Sequence, residues 1–260
     1  MPSSASSDHV VAPAREENVF TKDFQTAPLG LREDTDPRDL PAYSYTDASK
    51  ALGIPPTTIG AWVRGQRYRR KSDTGFFEPV IRRPDPDDTR LSFKNLIEAH
   101  VLRSLRTSHD VGLGAVREAL RIAEERYGIE RLLIHADLKT SAGELFLDQY
   151  ERLVTLSKAE QLVIRETFHD FLRRVEYDES SLPRLLFPIT ATEGDDRVPV
   201  ISISPYISFG RPTISRTGIS TAAIRARVDA GESVRHVADD YRLEPFEVEA
   251  ALRYEVGVAA

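Results

Sequence analysis

The 260-residue chain has no cysteine, one methionine and one tryptophan. Without thiols it forms no disulfide scaffold, holds no thiolate zinc or iron–sulfur site, and offers no cysteine nucleophile. Long apolar runs are missing too. They stop at a few residues, as at Leu185-Leu186-Phe187, against the ~20 needed to span a bilayer. Residues 1–11 carry no early Lys or Arg and no apolar stretch, so no signal peptide is expected there. Catalytic constellations are equally scarce. The six histidines (His9, His100, His109, His135, His169 and His236) lack metal-ligand spacing, and no two stand four apart around a Glu. His100 and His169 read as surface or boundary residues of helices. Gly112-Leu113-Gly114 is half a dinucleotide fingerprint, but Arg117 stands where the third glycine is needed. There is no Gly-x-Ser-x-Gly and no P-loop. These absences predict a soluble cytoplasmic protein that is not an enzyme and needs no cofactor.

Charge is present and unevenly placed. The whole chain carries −6 with a pI near 5.6, which taken alone argues against a nucleic-acid coat. By segment the balance is −4 over residues 1–40, +4 over 41–110, −4 over 111–211 and −2 over 212–260. Arg64, Arg67, Arg69, Arg70 and Lys71 fall within eight residues with no acidic neighbour among them.

Residues 1–40, rich in Ser, Asp, Glu and Pro, read as a flexible acidic arm. From Ser44 the pattern is helical. Ser44 with Asp47 forms a capping box, Gly53 stops the helix, and Pro55-Pro56 opens a second. Ile59, Trp62 and Val63 make one buried stripe, which leaves Thr57, Thr58 and Ala61 facing outward. This is a helix-turn-helix, with Thr57, Thr58 and Arg64 placed for base contact. A hairpin is expected over residues 76–92 around a Pro84–Asp88 tip. Its Arg82, Arg83 and Arg90 join Arg67, Arg69, Arg70 and Lys71 as phosphate or minor-groove contacts. Helices follow over 93–106 and 113–127.

Further on, the alternation of Leu132, Ile134, Ala136 and Leu138 predicts a strand, with more strands at 145–147, 153–154, 185–189 and 198–203. Ser157 with Glu160 caps a helix running to about residue 175 whose core face includes Phe168 and Phe171. Three short helices, over 221–228, 234–241 and 246–254, close the chain. The fold class is α+β, mainly helical: a winged helix-turn-helix (41–128), a small α+β unit (129–204) and a three-helix bundle (205–260).

Two sets of residues carry resemblances. Tyr45-Thr46, Ala48 to Gly53, Thr58-Ile59, Trp62 and Arg90-Leu91-Ser92-Phe93 resemble the MerR-type winged helix-turn-helix, although Gly60 stands where that family carries an arginine. Gly210-Arg211-Pro212, Thr217-Gly218-Ile219, Ala230-Gly231-Glu232-Ser233, Val237 to Tyr241 and Ala251 to Tyr254 resemble a C-terminal antitoxin helix-turn-helix family long known only as a domain of unknown function. Together they resemble the long, non-standard VapB-type antitoxins. That resemblance implies a type II antitoxin that neutralises a PIN-domain (VapC-like) ribonuclease toxin and binds double-stranded operator DNA to repress its own operon. Symmetric operators further imply a homodimer. Arg184, Arg197 and Arg211, expected in loops, are the candidates for meeting the acidic toxin site. The alternative is a MerR-like, ligand-responsive regulator with no toxin, whose effector pocket would lie in residues 129–205.

Overall fold

The structure is a computed structural model that describes residues 35–70, 73–105, 113–154, 157–193 and 196–257. The arm expected over 1–40 therefore falls, up to residue 34, outside the described residues. So do Lys71 and the expected helix end at residue 106.

Local capping sets most helix starts. In α1 (Tyr45–Leu52) the Ser44 hydroxyl accepts from the Asp47 amide while Asp47 accepts back from the Ser44 amide. Gly53 ends the helix in a left-handed conformation at φ 61°. Helix α2 (Pro56–Arg64) begins on proline, whose missing N–H costs nothing in the first turn. A two-stranded hairpin follows, β1 (Gln66–Arg70) against β2 (Asp73–Phe77), with Gln66 opposite Phe77. Ser92 caps α3 (Phe93–Ser104), and α4 (Leu113–Tyr127) runs to Gly128. Next come α5 (Ser141–Val154) and α6 (Lys158–Leu172), the latter capped by Ser157 and Glu160. A four-stranded antiparallel sheet is built in sequence order from β3 (Val175–Tyr177), β4 (Pro183–Glu193), β5 (Asp196–Ile203) and β6 (Thr213–Ile214). The last elements are α7 (Thr221–Asp229), α8 (Val234–Tyr241) and α9 (Pro245–Val256). The expected α+β, mainly helical class is the one observed.

Four local expectations are corrected. The hairpin lies at 66–77, not 76–92. The segment past it holds three prolines, Pro79, Pro84 and Pro86, that cannot donate to a ladder, and Leu91 instead bridges to Tyr43, its amide 2.7 Å from the Tyr43 carbonyl. The strand expected at 132–138 is two 3-10 turns, Leu132–Ile134 and Ala136–Lys139. Leu133 is as buried as its neighbours Leu132 and Ile134, so the apparent two-face alternation is not realised. Arg131, left-handed at φ 54°, turns the chain into the first of them. The strands expected at 145–147 and 153–154 belong to α5, where Ala142, Phe146, Leu147 and Tyr150 make one buried helical face. Finally, the helix expected to reach residue 175 stops at Leu172, and Val175 begins β3.

Among the described residues, buried side chains form two clusters. The larger draws on α1 to α6 and includes Trp62, Phe93, Phe146 and Phe168. The second gathers Ile214, Ile224, Val237, Val248 and Ala251. Strands β4 and β5 serve both: Leu186 and Ile203 belong to the first, Ile189 and Ile201 to the second. Trp62 is 2 % exposed, and emptying such a site costs about 3–5 kcal/mol.

His100 is not a surface residue. It is fully enclosed, its Nε2–H donates to the Phe171 carbonyl at 3.0 Å, and the two rings lie 4.8 Å apart. Burial pushes its pKa down to about 3, so the imidazole is neutral. Phe171, expected in the core, is only half buried and carries the guanidinium groups of Arg103 and Arg174 near its ring.

Candidate nucleic-acid interface

The α1–α2 pair is fixed from beneath. Ile59, Trp62 and Val63 are buried, and the Trp62 carbonyl accepts from the amides of Val80 and Ile81 at 2.9 and 3.1 Å. That contact ties the chain leaving the hairpin to the end of α2. The outer face then presents Thr57, exposed in the first turn, and Thr58, half exposed beside it.

Arg64, at the last position of α2, is exposed. Its guanidinium carbon lies 5.6 Å from the centre of the Tyr45 ring. The side chain runs back along the helix, as long helical side chains do. It reaches Gly60: a Cβ built there would sit 2.6 Å from Arg64 Nη2. Gly60 thus leaves a seat on the helix face that Arg64 fills from one turn later.

Gly65, at φ 76°, turns the chain into β1, where Arg67 is exposed. Arg69 and Arg70 stand on the same strand, opposite Thr74 and Asp73. The fold therefore brings Thr57, Thr58, Arg64 and the β1 arginines onto consecutive elements.

The three other arginines do not flank the hairpin, and two turn to their own loop. Arg83, half buried, donates from Nη1 to the Asp88 carbonyl. Arg90 is exposed and pairs with the Asp88 carboxylate at 2.6 Å, which holds that carboxyl below its usual pKa. Arg82 is exposed, and its carbonyl accepts from Asn95 Nδ2 at 2.8 Å. Asn95 also donates to the buried Glu98, whose second partner is Arg131 Nε at 3.0 Å. This network anchors the residue-82 loop to α3.

Of the residues expected in loops, Arg184 lies on β4 and Arg197 on β5, which corrects that placement. Arg211 is exposed just after a 3-10 turn, Ser208–Gly210. Sequence reading missed Phe209 in that turn, since no local pattern marks a solvent-facing phenylalanine. Among the described residues, no group of three His, Asp or Glu is placed to hold a metal, and no helix is long and apolar enough to cross a membrane.

A family model described as a protein of unknown function (DUF433) matches residues 201–254, from the end of β5 into α9. A Mycobacterium tuberculosis protein named "Putative antitoxin VapB45" is 24 % identical over 230 residues, covering 82 % of this chain and 93 % of that protein. A second protein of that organism, the uncharacterized protein Rv2308, is 26 % identical over 229 residues, covering 83 % and 90 %. The crystal structure of Rv2018, also from Mycobacterium tuberculosis, superposes with a TM-score of 0.59 at 22 % identity, covering 82 % of this chain and 98 % of that one. Along about four-fifths of its length, the chain shares the fold of that crystal structure.

Proposed function

We propose that the chain is a type II antitoxin that binds and neutralises a PIN-domain (VapC-like) ribonuclease and, as a homodimer, represses transcription from operator DNA. One observation carries the DNA half: helix α2, with Thr57, Thr58 and Arg64 outward, runs directly into a hairpin strand bearing Arg67, Arg69 and Arg70. A recognition helix followed by a basic wing suits a major groove and its flanking phosphates. The toxin half is supported by the likeness to a protein named as an antitoxin over nearly its full length. Arg184, Arg197 and Arg211 remain the proposed toxin contacts, on the chemistry of a cation meeting an acidic metal-binding site.

The test of the DNA half is fluorescence polarisation of a labelled duplex taken from upstream of the chain's own gene. Saturable binding that weakens steeply with salt is expected; binding no tighter than to a scrambled duplex refutes it. Gly60→Ala refines the test. Alanine improves helix propensity by about 0.5–1 kcal/mol, so the melting temperature should hold or rise. The new Cβ unseats Arg64, and loss of that preorganisation should weaken DNA binding about 3- to 10-fold. Unchanged affinity would remove Arg64 from the contact surface.

A further inference from the structure

The turn between β5 and β6 holds a conformation that neither strand requires. Ser208, Phe209 and Gly210 take φ of 49°, 56° and 79° in succession, and only the glycine adopts this region freely. Each of the other two costs on the order of 1–3 kcal/mol and persists only where its surroundings dictate the shape. Here they do. The Gly210 amide donates to the Ile207 carbonyl at 3.0 Å, and the Arg211 amide to the Ser208 carbonyl at 3.1 Å. A Cβ on Gly210 would lie 2.5 Å from the Tyr43 hydroxyl, so the turn is pressed against that ring. The effect is to hold Phe209 in water at 75 % exposure, the highest of any large apolar side chain among the described residues.

At the foot of Phe209 lies a cleft of about 440 Å³ between α1 and α9. Ala51, Ile203 and Tyr254 supply apolar wall. Tyr43 also lines it, and its buried hydroxyl has no hydrogen-bond partner among the described residues. The Lys50–Glu255 ion pair at 2.5 Å joins the two helices along one side. Two charges on the rim are not neutralised by each other. Arg211 is exposed and makes no ion pair among the described residues, while the exposed Asp47 is engaged only in capping α1.

A projecting aromatic ring, a cavity, an unpaired cation and an exposed carboxylate thus share one face. That is the composition of an isologous patch, which must carry both halves of its own complement. Aromatic and arginine side chains also dominate the energetics of interfaces. We infer that this face is the homodimer interface, with Phe209 of each copy seated in the α1–α9 cleft of the other and Arg211 against the other copy's Asp47. The inference rests on the reading that two copies act together. It adds where they meet: on α1, the helix that positions α2.

Sedimentation equilibrium of the full chain tests it. The wild type should be a dimer, and Phe209→Asp, at a position exposed in the monomer, should keep its melting temperature while weakening dimerisation at least about 30-fold. Because the chain has no native cysteine, Arg211→Cys and Asp47→Cys supply the only thiols in each variant. Oxidation should give a covalent dimer from their mixture and not from either alone. A wild-type dimer that survives Phe209→Asp and yields no mixed disulfide places the interface elsewhere and overturns the inference, leaving the two-copy reading intact. A wild type that is monomeric both free and on DNA overturns both.

Discussion

Replacing Arg69, Arg70 and Lys71 together by Ala should flatten the salt dependence of operator binding by about 2.7 units of slope, because each phosphate contact contributes about 0.9. Between about 50 and 200 mM salt, the variant's affinity should then fall roughly 40-fold less than that of the wild type. Two of the three positions end β1, and the third follows them directly in the sequence. The fold should not respond, because the hairpin's register is carried by backbone pairing from Gln66–Phe77 to Arg70–Asp73. Arg83 and Arg90 provide the contrast. Both are already engaged by Asp88, so their removal should change the slope less. Identical slopes for the wild type and the triple variant would remove the wing from the DNA surface.

Gly143→Ala should be the most damaging conservative change in the helical region. In the interior of an ordinary helix this substitution stabilises. At Gly143, however, a Cβ would stand 1.9 Å from the Leu138 carbonyl oxygen and 2.7 Å from its carbon. Both are backbone atoms, so no side chain can swing away. Leu138 is itself buried in the 3-10 turn that feeds α5. Helix and turn would have to separate, opening the face that holds Phe146 and Tyr150. We expect a loss of about 2–3 kcal/mol, or roughly 5–10 °C in melting temperature for a chain of this size. Gly114 is the control. It lies in the first turn of α4, where an added Cβ would meet nothing within 4 Å, and Gly114→Ala should stabilise by about 0.5–1 kcal/mol. If Gly143→Ala melts with or above the wild type, the close approach of α5 to its preceding turn is not as described.

These two predictions also mark what a linear reading reaches. Features encoded within four residues were legible. Ser44 with Asp47, Ser157 with Glu160, Pro56 and Gly53 each announce a helix end, and each helix ends there. Thr57, Thr58 and Arg64 could be placed on the outer face of α2 because the Ile59–Trp62–Val63 stripe fixes the inner one. Failures came where distant chain decides. Leu132 to Leu138 alternates like a strand, yet Leu133 between them is as buried as they are. Leu145-Phe146-Leu147 is too short a run for its period to separate helix from strand. The course of the 78–92 segment includes a bridge from Leu91 to Tyr43, and within that segment Arg83 and Arg90 meet Asp88. Phe209 was invisible for a different reason. Its exposure comes from backbone conformation and from the Tyr43 ring, more than 160 residues away in sequence.

The antitoxin reading is tested most directly by titrating the purified full chain into a purified PIN-domain (VapC-like) ribonuclease from the same organism, the partner class that reading proposes, while following cleavage of a labelled RNA. Cleavage should fall linearly to background and stop at a fixed whole-number ratio of the two proteins. Cleavage that continues unchanged at a large molar excess of this chain would contradict it.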